Sequence, residues 1–228
     1  MELRNKIAVI TGSTSGLGKA LADLLVKEGA KVVVNGRNAV EANKVATEID
    51  AIPVIADVAN EKEVGALAQK IVDRFGRIDI WINNAGIWLP HGPAEDLDME
   101  RVRRMVDVNL FGTMNGSIAA LRVMRKQNEG IIVNILSTSA LSGRAGSSAY
   151  CASKYGATGF TKSIQLEVKG SGIKVIAVYP GGMQTHLFDE KRPDDLNAYM
   201  QPSSVAEKII ANLKKSEPED EMIIKRSI

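Results

Sequence analysis

The sequence predicts an α/β fold: a doubly wound parallel β-sheet covered by helices on both faces, in three α/β/α layers. Three observations predict it. Short runs rich in β-branched residues alternate along the chain with stretches of helical periodicity. The runs are apolar on both faces, as in strands buried between two helical layers. Each run is followed by a helical stretch, so successive strands are joined by crossovers, which are almost always right-handed. At 228 residues the chain fits one domain, since single α/β domains of roughly 200–250 residues are ordinary. No linker or internal repeat divides it, and one domain over 1–228 is expected.

The elements follow in order. Ile7-Ala8-Val9-Ile10 reads as a buried strand. Leu17, Ala20, Leu21, Leu24 and Leu25 then recur at helical spacing, with Gly29 placed as a C-cap. Val32-Val33-Val34 is the second strand, a weaker helix is carried by Val40, Val45 and Ile49, and Ile52-Pro53-Val54-Ile55 is the third strand. Val64, Leu67, Ala68, Ile71, Val72 and Phe75 form the cleanest helical stripe, opened by Asn60 and Glu63 as a capping box and stopped by Gly76. Ile78–Ile82 is the fourth strand. Residues from about Met99 to Arg125 read as two helices broken near Phe111-Gly112. Ile131–Leu136 is the fifth strand, followed by a Ser/Gly-rich loop, a helix from about Tyr150 to Lys169, and Ile173–Val178 as the sixth strand. Met222-Ile223-Ile224 reads as a short last strand, after a charged stretch from Lys214 to Glu221 that reads as a surface turn.

Composition removes several classes of function. A hydrophobic fraction of 45% and a charged fraction of 25% are globular values, which excludes a disordered chain. Lys plus Arg is 29 and Asp plus Glu 27, so the charge gives no reason to expect nucleic acid or an anionic membrane as partner. Cys151 is the one cysteine, which leaves no intramolecular disulfide and no Cys-based zinc site, and His91 and His186 are too few for a His-rich metal centre. No segment reaches the ~18 consecutive apolar residues of a membrane helix. The apolar run at Ile7–Ile10 is shorter than the ~7–15 residue core of a signal peptide. A cytoplasmic protein is expected.

Two groups of residues carry chemistry by themselves. Thr11-Gly12-Ser13-Thr14-Ser15-Gly16-Leu17-Gly18 joins the first strand to the first helix. Open parallel sheets bind ligands at the carboxyl ends of their strands, and a helix N-terminus there offers unpaired N–H groups and a positive dipole end to a phosphate. The glycines permit the tight turn and a close backbone approach. A Gly-rich turn of this kind also occurs with no ligand. Tyr150 and Lys154 stand four residues apart on one helix face. A free tyrosine has a pKa near ~10, and an ammonium within ~4–6 Å lowers it by ~1–3. The pair therefore reads as a phenol brought towards working pH for acid–base chemistry. In isolation the same spacing is usually an ordinary surface Tyr and Lys.

These residues resemble the short-chain dehydrogenase/reductase family. Thr11-Gly12-x-x-x-Gly16-x-Gly18 matches its cofactor fingerprint, Asn83-Asn84-Ala85-Gly86 and Tyr150-x-x-x-Lys154 its next two motifs, and Pro180-Gly181 the turn after the sixth strand. The motifs come in the family's order and the resemblance covers residues from about 5 to 187. It implies a Rossmann-like fold, a nicotinamide cofactor, reversible hydride transfer at a carbonyl or alcohol carbon of a small molecule, and a homodimer or homotetramer. The last forty residues match poorly, and the family's Gly-containing C-terminal segment is not evident.

Residue by residue, the resemblance assigns Tyr150 as general acid/base and Lys154 as its partner, which also binds the nicotinamide ribose. It assigns Ser137 as the group that orients the substrate carbonyl, with Ser139 as the rival. Asn109 falls at the family's fourth catalytic position, where the Asn bends a helix and its backbone carbonyl holds a water in a proton relay; a solvated mid-helix Asn is the other reading. For the cofactor it assigns Gly12, Ser13, Ser15, Gly16, Leu17 and Gly18 in the turn, Asn84, Ala85 and Gly86, then Pro180, Gly181 and Met183, and Thr185 on the carboxamide. Asp57 and Val58 match the pair that packs on adenine, although Asp57 would also serve to cap the next helix. A site for NAD usually carries an acid about 20 residues after the glycines. Here Gly36 holds that position and Arg37 follows, so a guanidinium forked onto a 2′-phosphate, and hence NADP(H), is expected. Ser13 and Thr14 add hydroxyls. Ser15 stands where the family has a basic residue, so that support is missing, and Arg37 also reads as a solvated loop residue.

Within this reading, 3-oxoacyl-carrier-protein reduction and a non-catalytic NADP-sensing regulator are the alternatives. Arg101, Arg103 and Arg104 read as a wet helix face. Met183 to Met200 reads as a mobile lid, with Trp88 as the opposite wall.

Overall fold

The computed structural model describes residues 2–226. Seven strands form one parallel sheet: β1 (Ile7–Ile10), β2 (Lys31–Gly36), β3 (Ile52–Ile55), β4 (Ile80–Asn83), β5 (Gly130–Ile135), β6 (Ile173–Pro180) and β7 (Glu221–Ile224), in the order β3-β2-β1-β4-β5-β6-β7. The chain leaves β1 in one direction as far as β3 and returns to β4 on the other side. That reversal between β1 and β4 opens a crevice at the carboxyl ends of the strands.

Strand residues alternate between the two faces, and each face has its own core. Ile10, Val34, Ile82, Val133 and Val178 pack against α1 (Gly16–Lys27), α2 (Ala39–Ile49) and α7 (Pro202–Lys214). Val9, Val33, Trp81, Ile132 and Val175 pack against α3 (Glu61–Phe75), α5 (Gly112–Gln127) and α6 (Ser148–Glu167). A shorter helix, α4 (Met99–Val106), leads into α5. Among the described residues no helix is long and apolar enough to cross a membrane.

Three elements differ from their expected form. The break near Phe111-Gly112 is a π-helical turn over Asp107–Phe111 that joins α4 to α5, with Gly112 in ordinary helical geometry. Helix α7 was not anticipated, although Pro202 at its first turn and Val205, Ala206, Ile209, Ile210 and Leu213 on its buried face carry the signal. The capping box of α3 is altered. Asn60 Oδ1 accepts from Lys62 N and Glu63 N, while Glu63 accepts from Asp57 N at 2.7 Å and from Asn60 Nδ2 at 2.8 Å. The Asn60 N–H is already committed to the Asp57 carbonyl. Gly76 caps α3 in the left-handed region, as expected. The charged stretch after α7 is a held turn, because Asn212 exchanges hydrogen bonds with the Glu219 backbone on both sides.

Candidate active site

Loops from the carboxyl ends of β1 to β6 line one open cleft of about 900 Å³. Its floor is the turn after β1. Thr11 Oγ1 accepts from the N–H groups of Asn84 and Ala85, and Asn84 Nδ2 donates to the carbonyls of Thr11 and Gly12. The turn and the Asn83–Gly86 segment thus hold each other. They meet so closely that a Cβ on Gly12 would lie 2.7 Å from the Ala85 Cα. Asn35 fixes the other side: Oδ1 accepts from Gly12 N, and Nδ2 donates to the carbonyls of Val54 and Ala56. Gly16 and Leu17 open α1 and present first-turn N–H groups to the cleft.

At one end lie Thr14, Gly36, Arg37, Asp57 and Val58. Arg37 is exposed and has no ion-pair or hydrogen-bond partner among the described residues. Asp57 accepts from Ala59 N at 3.0 Å and from an Arg104 guanidinium nitrogen at 2.6 Å. Burial pushes its pKa up, but the Ala59 hydrogen bond, Arg104 and the nearby Arg37 together hold it below the usual value.

At the other end, Ser137, Tyr150 and Lys154 line the same cleft. Ser137 follows β5 and caps the short turn Thr138–Ala140, accepting from Ser139 N at 3.1 Å. Lys154 is 4% exposed; its Nζ donates to the Ile135 carbonyl at 3.1 Å and stands 6.0 Å from the centre of the Tyr150 ring. Burial pushes Tyr150 up to about 12, with the Ser137 hydroxyl pulling the other way, and burial pushes Lys154 down to about 8. The expected lowering of Tyr150 by Lys154 is therefore corrected: desolvation dominates each group separately.

Asn109 is wholly buried in the π-turn and does not line the cleft. Its side chain accepts from Ile87 N and donates to the Ile87 carbonyl, both at 2.9 Å, and donates to Ser153 Oγ, which donates to the Tyr150 carbonyl. Asn109 thereby ties the loop after β4 to the helix turn that carries Tyr150. Its carbonyl accepts the Thr113 hydroxyl.

The outer wall comes from the segment after β6. A Met183–Met200 bridge closes it and two short 3₁₀ turns fill it. Phe188 meets Trp88 at 5.2 Å and Tyr199 at 5.7 Å between ring centres, both edge-on. Glu190 pairs with Arg101 across the gap to α4. Trp88 thus forms the opposite wall, as expected, but the segment is seated against it rather than free.

Comparison with known proteins agrees with this geometry. The short chain dehydrogenase family model matches residues 6–196. The chain belongs to the short-chain dehydrogenase/reductase family. It is similar to an uncharacterized oxidoreductase of Staphylococcus aureus strain USA300, 36% identical over 211 residues that span 91% of this chain and 90% of that protein. It is also similar to the D-beta-hydroxybutyrate dehydrogenase of Rhizobium meliloti strain 1021, 37% identical over 196 residues, 83% of this chain and 76% of that protein. Among solved structures, the 3-ketoacyl-(acyl-carrier-protein) reductase of Brucella melitensis complexed with NADH superposes with a TM-score of 0.90 at 29% identity, covering 98% of both chains. The protein is thus a short-chain dehydrogenase/reductase-type oxidoreductase acting on a CH–OH group.

In this short-chain dehydrogenase the cleft gathers Gly12, Ser15, Gly16, Leu17, Arg37, Asp57, Val58, Asn84, Ala85, Gly86, Pro180, Gly181, Met183 and Thr185 with Ser137, Tyr150 and Lys154. Ser13 and Gly18 stand behind its wall. The Ser13 hydroxyl donates to the Ile10 carbonyl and accepts from Asn35 N, so it builds the turn and offers nothing to a ligand. Of the arginines read as a wet face, Arg104 supports Asp57 and Arg101 holds Glu190, which leaves Arg103 exposed without a partner among the described residues. The sequence reading missed Asn35, whose signal is a polar residue closing a β-branched run. His91, which the sequence places beside the substrate site without a role, lines the cleft and bonds Ser147 Oγ at 2.7 Å. Burial and the nearby Arg144 and Lys191 keep His91 below its usual pKa.

Proposed function

We propose that this enzyme reduces a small carbonyl compound with NADP(H), with Tyr150 as proton donor. The observation that carries the reading is the meeting of Ser137, Tyr150 and Lys154 in one cleft whose floor is a glycine turn at a helix N-terminus. The residues fit a dinucleotide. Gly12 leaves no Cβ over the floor, the first turn of α1 would take the pyrophosphate, Asp57 and Val58 the adenine, and Lys154 and Thr185 the nicotinamide end. When bound, the nicotinamide supplies the hydride. The chain supplies the rest. Tyr150, fully protonated at neutral pH, gives its proton to the carbonyl oxygen. Ser137 donates a hydrogen bond to the same oxygen and holds it in place. Lys154, with a pKa of about 8, carries its charge at pH 7 and stabilises the phenolate that forms. Asn109 keeps the Ile87 loop in register with Tyr150. With all four positions filled, catalysis is favoured over a purely sensing role.

NADP(H) over NAD(H) rests on Arg37, free beside Gly36 where an acid would stand. The test is fluorescence titration with both cofactors. NADPH should bind more tightly, and Arg37→Ala should weaken it roughly 10–150-fold, the worth of one or two charge-assisted contacts. Equal or tighter NADH binding by the unaltered protein would overturn the assignment.

For the substrate, two relatives act on 3-oxygenated acyl compounds by name. Arg144 lines the cleft beside His91 with no ion-pair partner among the described residues. A 3-oxoacyl compound with an anionic end is the favoured class. NADPH oxidation with acetoacetate and acetoacetyl-coenzyme A, set against an uncharged acetoacetyl ester, diketones and quinones, separates it from apolar ketones. The homodimer or homotetramer is part of the same proposal. Tyr155 and Leu166, 44% and 73% exposed on α6, are apolar side chains that a second copy would cover.

A further inference from the structure

We infer that Thr14 is a specificity-determining residue, because its side chain occupies the space an acidic side chain at position 36 would need. The inference rests on the proposed NADP(H) reading and adds a second device to Arg37. Gly36 ends β2, pairs with Ile55 and accepts a hydrogen bond from Ala56 N. Its φ lies outside the left-handed region, so the backbone there does not require glycine. What requires it is space. A Cβ on Gly36 would stand 2.6 Å from Thr14 Cγ2 and 3.6 Å from Thr14 Oγ1, and real atoms do not approach within the first of these distances.

The turn bearing Thr14 cannot easily slide away. Next to it, Ser13 N donates to the Asn35 carbonyl, Ser13 Oγ accepts from Asn35 N, and Gly12 N donates to Asn35 Oδ1. Relief is left to rotation of Thr14 about χ1. Its β-carbon carries two heavy atoms, so only one of three staggered settings turns a hydrogen towards position 36. Thr14 itself lines the cleft, and its hydroxyl has no hydrogen-bond partner among the described residues. The residue therefore does two things at the ribose end. It offers a hydroxyl, and it excludes the carboxylate through which an NAD site accepts the ribose 2′-hydroxyl. An acid at position 36 therefore requires a smaller side chain at position 14.

A double-mutant cycle tests this, read with NADH and NADPH titrations and with thermal unfolding of the cofactor-free protein. Gly36→Asp alone should weaken NADPH yet leave NADH affinity within about threefold of the unaltered protein. Thr14→Ala combined with Gly36→Asp should tighten NADH by about tenfold or more over Gly36→Asp alone, the return on one charge-assisted hydrogen bond. Without any cofactor, Gly36→Ala should lower Tm, and Thr14→Ala in the same chain should restore it. A tenfold gain in NADH affinity from Gly36→Asp alone, or a Tm loss that Thr14→Ala does not recover, would overturn the inference while leaving the cofactor reading intact. Tighter binding of NADH than NADPH by the unaltered protein would overturn both. Should Gly36→Asp fail to fold, the milder Gly36→Ala cycle decides by itself.

Discussion

Lys154 pays for its place in the cleft. Its pKa falls from 10.5 to about 8 because burial disfavours the charge. Below pH 8 both folded and unfolded chains carry the proton, and the fold bears the whole penalty, about 3 kcal/mol at ~1.4 kcal/mol per pH unit. Between about 8 and 10.5 the folded state loses its proton first, the unfolded state binds more protons, and the penalty fades as pH rises. Lys154→Met should therefore stabilise the protein at pH 7, by up to about 3 kcal/mol less ~1 kcal/mol for the hydrogen bond lost at Ile135. The gain should shrink towards pH 10 while activity and NADPH affinity are lost. Urea unfolding at the two pH values measures it, and a gain that does not depend on pH would show that Lys154 is not depressed. Tyr150→Phe should abolish turnover and keep NADPH affinity. The identity of this pair was legible because helix periodicity fixes the spacing. The direction of its pKa shifts was not, because burial of the site depends on loops from distant strands.

At the scale of elements, strands and most helices were legible because each carries its own apolar period. The π-turn was not: Asp107–Phe111 widens one turn inside a continuous helical pattern, and its reason is tertiary, since Asn109 reaches across to Ile87. The segment from Met183 to Met200 is the other case. Its charged composition suggested a loose lid, yet Phe188, packed between Trp88 and the segment's own Tyr199, seats it against Trp88. No residue from 181 to 200 is fully buried, so it lies at the low-stability end of the fold. Trypsin should cut first at Lys191, which is exposed, since the Arg192–Pro193 bond resists it, and saturating NADPH should slow the cut through Thr185, which lines the cleft. Phe188→Ala should speed cleavage about tenfold by removing two aromatic contacts. Arg101→Ala should speed it far less, because its pair with Glu190 is solvent-exposed and screened. Cleavage indifferent to both NADPH and Phe188→Ala would mean that the segment does not close the cleft.

At the scale of the molecule, the two main cores each run across both halves of the sheet. One apolar layer runs from Val34 on β2 through Ile10, Ile82 and Val133 to Ile224 on β7, and the other from Val54 on β3 through Val9 and Trp81 to Val175 on β6. The cleft crosses the same divide, with Arg37 and Asp57 on the β2–β3 side and Tyr150 and Thr185 beyond β5. A ligand spanning it binds only when both halves are folded. Unfolding should then be a single transition, and NADPH should shift it whole. At a concentration 100 times its Kd, ligand contributes about 2.7 kcal/mol, which for a chain of this size raises Tm by roughly 5–10 °C. On the proposed NADP(H) reading, NADH at the same concentration should raise it less. Scanning calorimetry with each cofactor reads all of this. Two separate transitions, only one of them moved by NADPH, would show that the β1–β3 half folds as a unit of its own and that 1–228 is not a single domain.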